Sequence, residues 1–292
     1  MIDGVFSEWL TVTCGVPQGS VLGPVLFNIY CRHIHYVFER CGFVSSSFAD
    51  DNSGVKSFAL FNELNTFMVD VPQCIEDLKK YMLHNHLKLN DSKTEVIIFG
   101  NAKFKKQVTL HGTFLKSGDC IRFSDSVKYL GVLFDSLLSF ESQIQNVISL
   151  SYASIRQIGS VKSSLSRSNL ETFVHAFISC HLDYCNVIYV GLSKKMLNRL
   201  QKLQNAAIRL VCKVHARHPV SSLYKDLHWL NIEQRVAFKL LLFVYKCVYD
   251  LAPVALRDLI SVKNTQRLTL KDTYFCKTKV GKRSFQYCAA KY

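Results

Sequence analysis

Apolar positions in the front third of the chain switch between helical spacing and the alternation of strands. Residues 20–40 read as a helix with Ser20 as cap and Pro24 in the first turn; Val25, Leu26, Ile29, Ile34, Val37 and Phe38 form its apolar stripe. Residues 43–49 and 55–60 follow as two strands around an Asp-Asp-Asn-Ser-Gly turn at 50–54, residue types that favour tight reversals. A second helix is predicted to open near Asp70, with Pro72 in its first turn and Ile75, Leu78 and Met82 on one face. Strand-like pieces come next at 95–99, 108–111, 120–123 and 127–134. Beyond residue 139 long segments of helical period take over, at 144–165, 169–189, 196–211 and 232–249. The pattern predicts an α+β chain of two domains, a mixed front at 1–135 and an all-helical back at 136–292.

Composition narrows the class. With 49% hydrophobic residues among 292, a sizeable core is available and disorder is excluded. Five prolines and 13 glycines rule out collagen-like material. The most apolar window, 236–249, is interrupted by Lys239 and Lys246, which argues against a membrane span. The opening MIDGVFSEWL carries Asp3 and Glu8 where a leader would be basic and apolar, so no secretion signal is visible. Eleven cysteines without a CxxC pair read as reduced, mostly buried thiols of an intracellular protein, nuclear or cytoplasmic; Cys180 and Cys185 lack partners for a zinc site. Charge is uneven: residues 1–100 carry a net −4, 101–200 a net +6 and 201–292 a net +12. An acidic front and a basic back point to a polyanion, nucleic acid above all; solvated Lys and Arg on ordinary helix faces account for the same count.

Two segments carry candidate chemistry. Asp50 and Asp51, adjacent at a hairpin tip, make an oxygen-rich notch suited to Mg²⁺, which keeps waters or substrate phosphates in its remaining positions. A plain turn is the alternative, since Asp, Asn, Ser and Gly are ordinary turn formers. Residues 15–24, Gly-Val-Pro-Gln-Gly-Ser-Val-Leu-Gly-Pro, describe a loop whose backbone approaches something closely before a helix starts. Gln18 offers both a donor and an acceptor for a base or sugar, and the helix terminus beside it favours phosphate. A capped Gly/Pro loop with no ligand is equally compatible.

GVPQGSVLGP, then FADD at 48–51, LKLNDSKTE at 87–95 and VKYLGVLFD at 127–135 resemble, in order and spacing, the later palm motifs of reverse transcriptases of non-LTR (LINE-type) retrotransposons. Further along, LDYCN at 182–186, LQNAA at 203–207 and LHWL at 227–230 resemble the helical region after the palm in jockey-like and chicken-repeat-like elements. The resemblance implies a truncated right-hand polymerase palm followed by a helical thumb-like region, with RNA template, DNA primer and deoxynucleoside triphosphates as partners. It places metal binding on Asp50, with Asp51 as a weaker contributor, and sets Phe48 and Ala49 beside the primer end. Pro17, Gln18 and Gly19 would line the nucleotide and template pocket. Lys93 would protonate the leaving pyrophosphate, or stand as an exposed salt-bridging lysine. Tyr129, Leu130 and Gly131 resemble the primer grip, where close backbone approach suits a glycine.

Palm polymerases use another metal-binding Asp on a strand several tens of residues before the PQG loop, and here 14 residues precede Gly15. Asp3 lies in a segment resembling the short strands just before the loop, so it is not taken as that ligand. The Mg²⁺ site is therefore expected to be incomplete, and the chain to be a truncated polymerase fragment, inactive alone. A catalytically dead nucleic-acid-binding remnant is the alternative, and a poorly folding translated pseudogene is a third reading. Lys194, Lys195, Arg199, Lys202 and Arg209 recur at near-helical spacing and are expected to contact nucleic-acid phosphates. Tyr184, Tyr189, Phe243 and Tyr245 are read as core aromatics. His84, His86, His215 and His218 are read as surface or structural.

Overall fold

The computed structural model describes residues 11, 15–17, 19–58, 63–100, 114–116, 119–121, 123–263, 269–270, 276 and 278–291. Two compact units result, 1–124 and 125–292. The division falls before the hairpin of residues 126–135, which therefore groups with the helices and not with the mixed front.

In the first unit α1 (Gly23–Cys31) and α2 (Ile34–Arg40) replace the single helix expected at 20–40. The break lies at Arg32 and His33. Leu22, not Ser20, is the N-cap of α1 and makes no side-chain cap bond, although Pro24 does sit in the first turn. The apolar stripe divides with the helix. Ile34, Val37 and Phe38 of α2 are buried, whereas no residue of α1 is. The hairpin β1 (Val44–Phe48) and β2 (Asp51–Val55) follows, closing on Phe48 opposite Asp51. The second strand thus begins at Asp51 and not at residue 55, because a two-residue turn suffices to reverse the chain.

Helix α3 (Leu64–His84) starts six residues before Asp70, which puts Pro72 in its interior, where it lacks an N–H to donate. Cys74, Leu78 and Met82 of α3 close on Ile34, Val37 and Phe38 to make the main core of this unit, and Phe67, Val71 and Ile98 form a second cluster. The short hairpin β3 (Phe114–Lys116) and β4 (Asp119–Ile121) completes its regular structure. Residues 95–99 are not a strand: Val96 makes a single parallel bridge with Phe123. The piece expected at 108–111 lies outside the described residues.

The second unit opens with β5 (Ser126–Tyr129) and β6 (Val132–Asp135). Helices α4 (Glu141–Val161), α5 (Arg167–Val174), α6 (Cys180–Asp183) and α7 (Lys194–Val211) follow, with a π-helical turn at His175–Ser179 between α5 and α6. Next come α8 (Ser221–Asp226), α9 (Ile232–Val248), α10 (Val254–Arg257), the small hairpin β7 (Val262–Lys263) and β8 (Thr269–Leu270), and α11 (Phe285–Lys291). Side-chain caps define the helix starts: Ser166 accepts from Asn169 N, Ser193 from Met196 N, and Asn231 with Gln234 forms a full capping box. Ile144, Leu170, Val174, Ile178, Leu203, Ile208 and Leu240 are wholly buried in one continuous core. Mixed helices with few strands make the chain α+β. No described helix is long and apolar enough to cross a membrane.

The aromatics expected in the core divide. Tyr189 is buried at 1% exposure and Phe243 is half-buried, but Tyr184 and Tyr245 are 51% and 53% exposed. The described cysteines are free thiols. Cys74, Cys247 and Cys288 are buried, and Cys180 and Cys185 face solvent. Burial, reinforced by neighbouring Cys41, pushes the Cys74 thiol up to about 12.

Candidate functional site

The first unit presents Asp50 and Asp51 at the tip of the β1–β2 hairpin. Ala49 reverses the chain with φ +53°, a left-handed conformation costly for a residue with a Cβ. Asp50 completes the turn, and Asp51 opens β2 opposite Phe48. All four side chains from Phe48 to Asp51 are exposed. Asn52 donates to the Asp50 carbonyl at 3.2 Å and accepts from the Ser47 hydroxyl at 2.6 Å, so polar side chains brace the tip. Behind it, Gly54 lies against Phe38: a Cβ there would sit 2.7 Å from the ring. His35 Nδ1 and the Ser45 hydroxyl are 2.7 Å apart. Two exposed carboxylates on one turn suit a Mg²⁺ ion bound through one or two acidic side chains. Among the described residues no group of three His, Cys, Asp or Glu side chains comes together, so the pair does not form a complete metal centre.

The loop before α1 turns twice through glycine. Gly15 has φ +84° and Gly19 φ +87°, and Ser20 N–H donates to Pro17 O at 3.1 Å to close a tight turn. Pro17 and Gly19 are exposed, whereas Ser20 Oγ is buried without a hydrogen-bond partner among the described residues. Gln18 lies outside the described residues. Lys93 ends a short 3₁₀ turn, Asp91–Lys93, and is exposed; the turn is tied to α3 by Lys79 and Asp91, 3.0 Å apart.

In the second unit Tyr129, Leu130 and Gly131 form the tip of β5–β6. Leu130 (φ +45°) and Gly131 (φ +81°) are both left-handed, as a two-residue hairpin of this twist requires. Sequence reasoning missed what fixes this turn. The Tyr184 hydroxyl donates to the Leu130 carbonyl at 2.6 Å, and a Cβ on Gly131 would meet its ring at 3.4 Å. Cys185 beside it holds the Tyr184 phenol above its ordinary value, which favours the donating form. The one available signal is Gly131 itself, a glycine favoured by its φ.

On α7, a wheel of about 100° per residue puts Lys194, Lys195, Arg199, Lys202 and Arg209 within an arc of roughly 140°, opposite buried Leu200, Leu203 and Ala207. The row is genuine, but its members differ. Arg199 donates to Gln145 and stands 3.5 Å from Glu141, and Arg209 donates to the His218 carbonyl at 3.0 Å. Lys194, Lys195 and Lys202 face solvent. By sequence count the second unit holds 24 basic and 10 acidic residues against 12 and 12 in the first, so it carries the whole net charge of +14.

Residues 2–134 match the family described as reverse transcriptase (RNA-dependent DNA polymerase). The chain is 26% identical over 238 residues to the probable RNA-directed DNA polymerase from transposon BS of Drosophila melanogaster, covering 76% of this chain and 25% of that protein. It is 23% identical over 218 residues to the RNA-directed DNA polymerase from mobile element jockey of Drosophila funebris, with 72% and 23% covered. A Pol polyprotein of the type-1 retrotransposable element R1 of Bradysia coprophila aligns at 23% over 232 residues, with 75% and 22% covered. The chain spans about a quarter of the length of the curated relatives it matches. No solved structure matches it significantly. The ordered motifs and the carboxylate turn thus lie in a segment similar to reverse transcriptases, and about three quarters of the chain is similar to RNA-directed DNA polymerases of mobile elements.

Proposed function

We propose that this chain supplies the nucleotidyl-transfer turn and the helical nucleic-acid grip of an RNA-directed DNA polymerase that extends a DNA primer on an RNA template. The observation that carries this reading is the exposed Asp50–Asp51 pair on a left-handed hairpin tip inside the matched domain. Asp50 and Asp51 would hold a divalent cation, Mg²⁺ by the hardness of the ligands. When bound, such an ion stabilises the charge that develops on the attacking hydroxyl and the leaving pyrophosphate. Phe48 and Ala49 flank the primer end, and Pro17, Gln18 and Gly19 line the nucleotide and template pocket. Tyr129, Leu130 and Gly131 steady the primer, and exposed Lys93 returns a proton to pyrophosphate. Lys194, Lys195 and Lys202 contact phosphates, with Arg199 and Arg209 shaping the face they stand on.

Two-ion transfer needs a carboxylate beyond this pair, and the described residues bring none to it. Primer extension with deoxynucleotides and Mg²⁺ is therefore expected from a longer polymerase containing this segment and not from the chain alone. In the longer protein Asp50→Asn is expected to lower extension by orders of magnitude; extension that survives the substitution overturns the reading. A second reading, a nucleic-acid-binding remnant without activity, is favoured by the confinement of the +14 charge to the second unit. It predicts salt-sensitive duplex binding and no extension in any context.

A further inference from the structure

We propose that the outward face of α9 is a binding platform for single-stranded nucleic acid, distinct from the carboxylate turn and from the lysine row of α7. Phe238, Leu241, Tyr245 and Tyr249 recur at spacings of three, four and four residues, the repeat that keeps side chains on one helix face. Such a stripe ordinarily marks a core. Here it is 57%, 46%, 53% and 56% exposed, while the opposite face buries Ile232, Val236, Leu240 and Cys247. The Tyr245 and Tyr249 rings lie 4.5 Å apart and tilted, a ready surface for a further ring.

Charge selects the occupant. Lys239 and Lys246 fall about 80–100° round the wheel from Phe238 and so border the stripe along one side. Glu233, the acidic residue within α9, falls on the other flank. Single-strand platforms pair stacked aromatics with basic side chains that follow the phosphates, the arrangement Lys239 and Lys246 give this stripe. Near the Phe238 end, a hollow of about 420 Å³ is lined by Glu171, His175, Trp229, Arg235, Phe238 and Lys239, among others. The His175 and Trp229 rings lie 4.9 Å apart and tilted within it, and the indole N–H donates to Glu171 at 3.2 Å. From Phe238 to Tyr249 the helix rises about 16 Å, enough for about five stacked nucleotides. A duplex hides its base faces and gains nothing from such rings; an unpaired strand presents them.

The test uses the full chain with a labelled, unstructured oligoribonucleotide of about 15 nucleotides, and a duplex of the same length as control. In fluorescence anisotropy the double variant Tyr245→Ala, Tyr249→Ala is expected to weaken single-strand binding at least ~10-fold with duplex binding unchanged. Tyr245→Phe, which keeps the ring, is expected to bind as the parent does. Lys239→Gln with Lys246→Gln is expected to reduce the slope of log affinity against log salt by about 1.4, two phosphates' worth on a single strand. In a Trp9→Phe background, Trp229 fluorescence is expected to change on binding. Equal single-strand affinity in the parent and the double alanine variant overturns the proposal, as does a chain that self-associates through this stripe and binds no strand. None of these readouts measures primer extension, so failure here is distinguishable from failure of the polymerase reading.

Discussion

Two hairpin tips carry candidate function, and they are held in opposite ways. The tip at Ala49 and Asp50 exposes every side chain from Phe48 to Asp51, and what braces it is local: Ser47, Asn52 and the contact of Gly54 with Phe38. The tip at Leu130 and Gly131 is fastened from afar. Tyr184 reaches its carbonyl from 54 positions along the chain, and Leu133 N–H donates to buried Gln143 at 3.0 Å. Asp135 at the hairpin's end accepts from Leu137, Ser139 and Phe140 N–H groups and so leads straight into α4. On the proposed roles, the first turn would admit substrate and solvated ions from outside, and the second would hold its backbone still against a primer. The larger core and the whole net charge both lie on the side of the firmly held turn.

The contrast breaks most forcefully in the helical core. Leu203 of α7 is wholly buried among side chains of that unit. Leu203→Ala leaves a cavity and is expected to cost about 2–5 kcal/mol, read as an earlier urea transition in the Trp229 fluorescence of a Trp9→Phe chain. A smaller loss is expected on the first hairpin. Gly54→Ala drives a methyl to 2.7 Å from the Phe38 ring, itself packed against Cys74 and Leu78. Overpacking of this kind costs about 1–3 kcal/mol. Faster alkylation of Cys74, buried beside Phe38, checks it, while Cys180 and Cys185 serve as exposed internal references.

Gly131→Ala sharpens the other side of the comparison. The position has φ +81°, so the methyl is strained whatever room it finds, and it comes into contact with Tyr184 at 3.4 Å. A loss of about 1–2 kcal/mol is expected, with faster amide exchange in residues 129–132. If exchange there stays unchanged, the turn does not depend on Tyr184, and the account of a remotely fastened tip fails.

What the amino-acid pattern revealed, and what it hid, follows the same division. The helices expected at 144–165, 196–211 and 232–249 were legible to within a few residues because their apolar period runs uninterrupted, whereas the one expected at 169–189 passes through a π-helical turn at His175–Ser179 and ends at Asp183. The turn at Asp50 and Asp51 was legible from turn chemistry, whereas residues 127–134 read as one strand-like piece and form two strands that reverse at Leu130 and Gly131. The break at Arg32 and His33 was not, since the stripe from Val25 to Phe38 continues across it; burial decides that break, and periodicity does not. The start of α3 at Leu64 was hidden by reading Pro72 as a first-turn proline. Tyr184 and Tyr245 looked like core because aromatic spacing on a helix is the same for an inward and an outward face. The engagement of Arg199 with Gln145 and Glu141 is tertiary and leaves no trace in local spacing.

The smallest effect concerns a group the second unit keeps neutral. Tyr224 of α8 donates to Asn205 at 2.9 Å and accepts from Gln201, and burial pushes its phenol up to about 12, against an ordinary value near 10. The folded state therefore holds this proton over a range in which the unfolded chain releases it. Its contribution to stability is fully present below pH ~10 and is lost as pH climbs from ~10 towards ~12, where ionisation favours the unfolded chain. Tyr224→Phe removes this titration and leaves the other tyrosines as a common background. The melting temperature of the parent is accordingly expected to fall more steeply than that of Tyr224→Phe above pH ~10, with parallel curves below it. Parallel curves throughout would mean that Tyr224 titrates as a solvated phenol, and that the Gln201, Asn205 and Tyr224 cluster joining α7 to α8 is open to water.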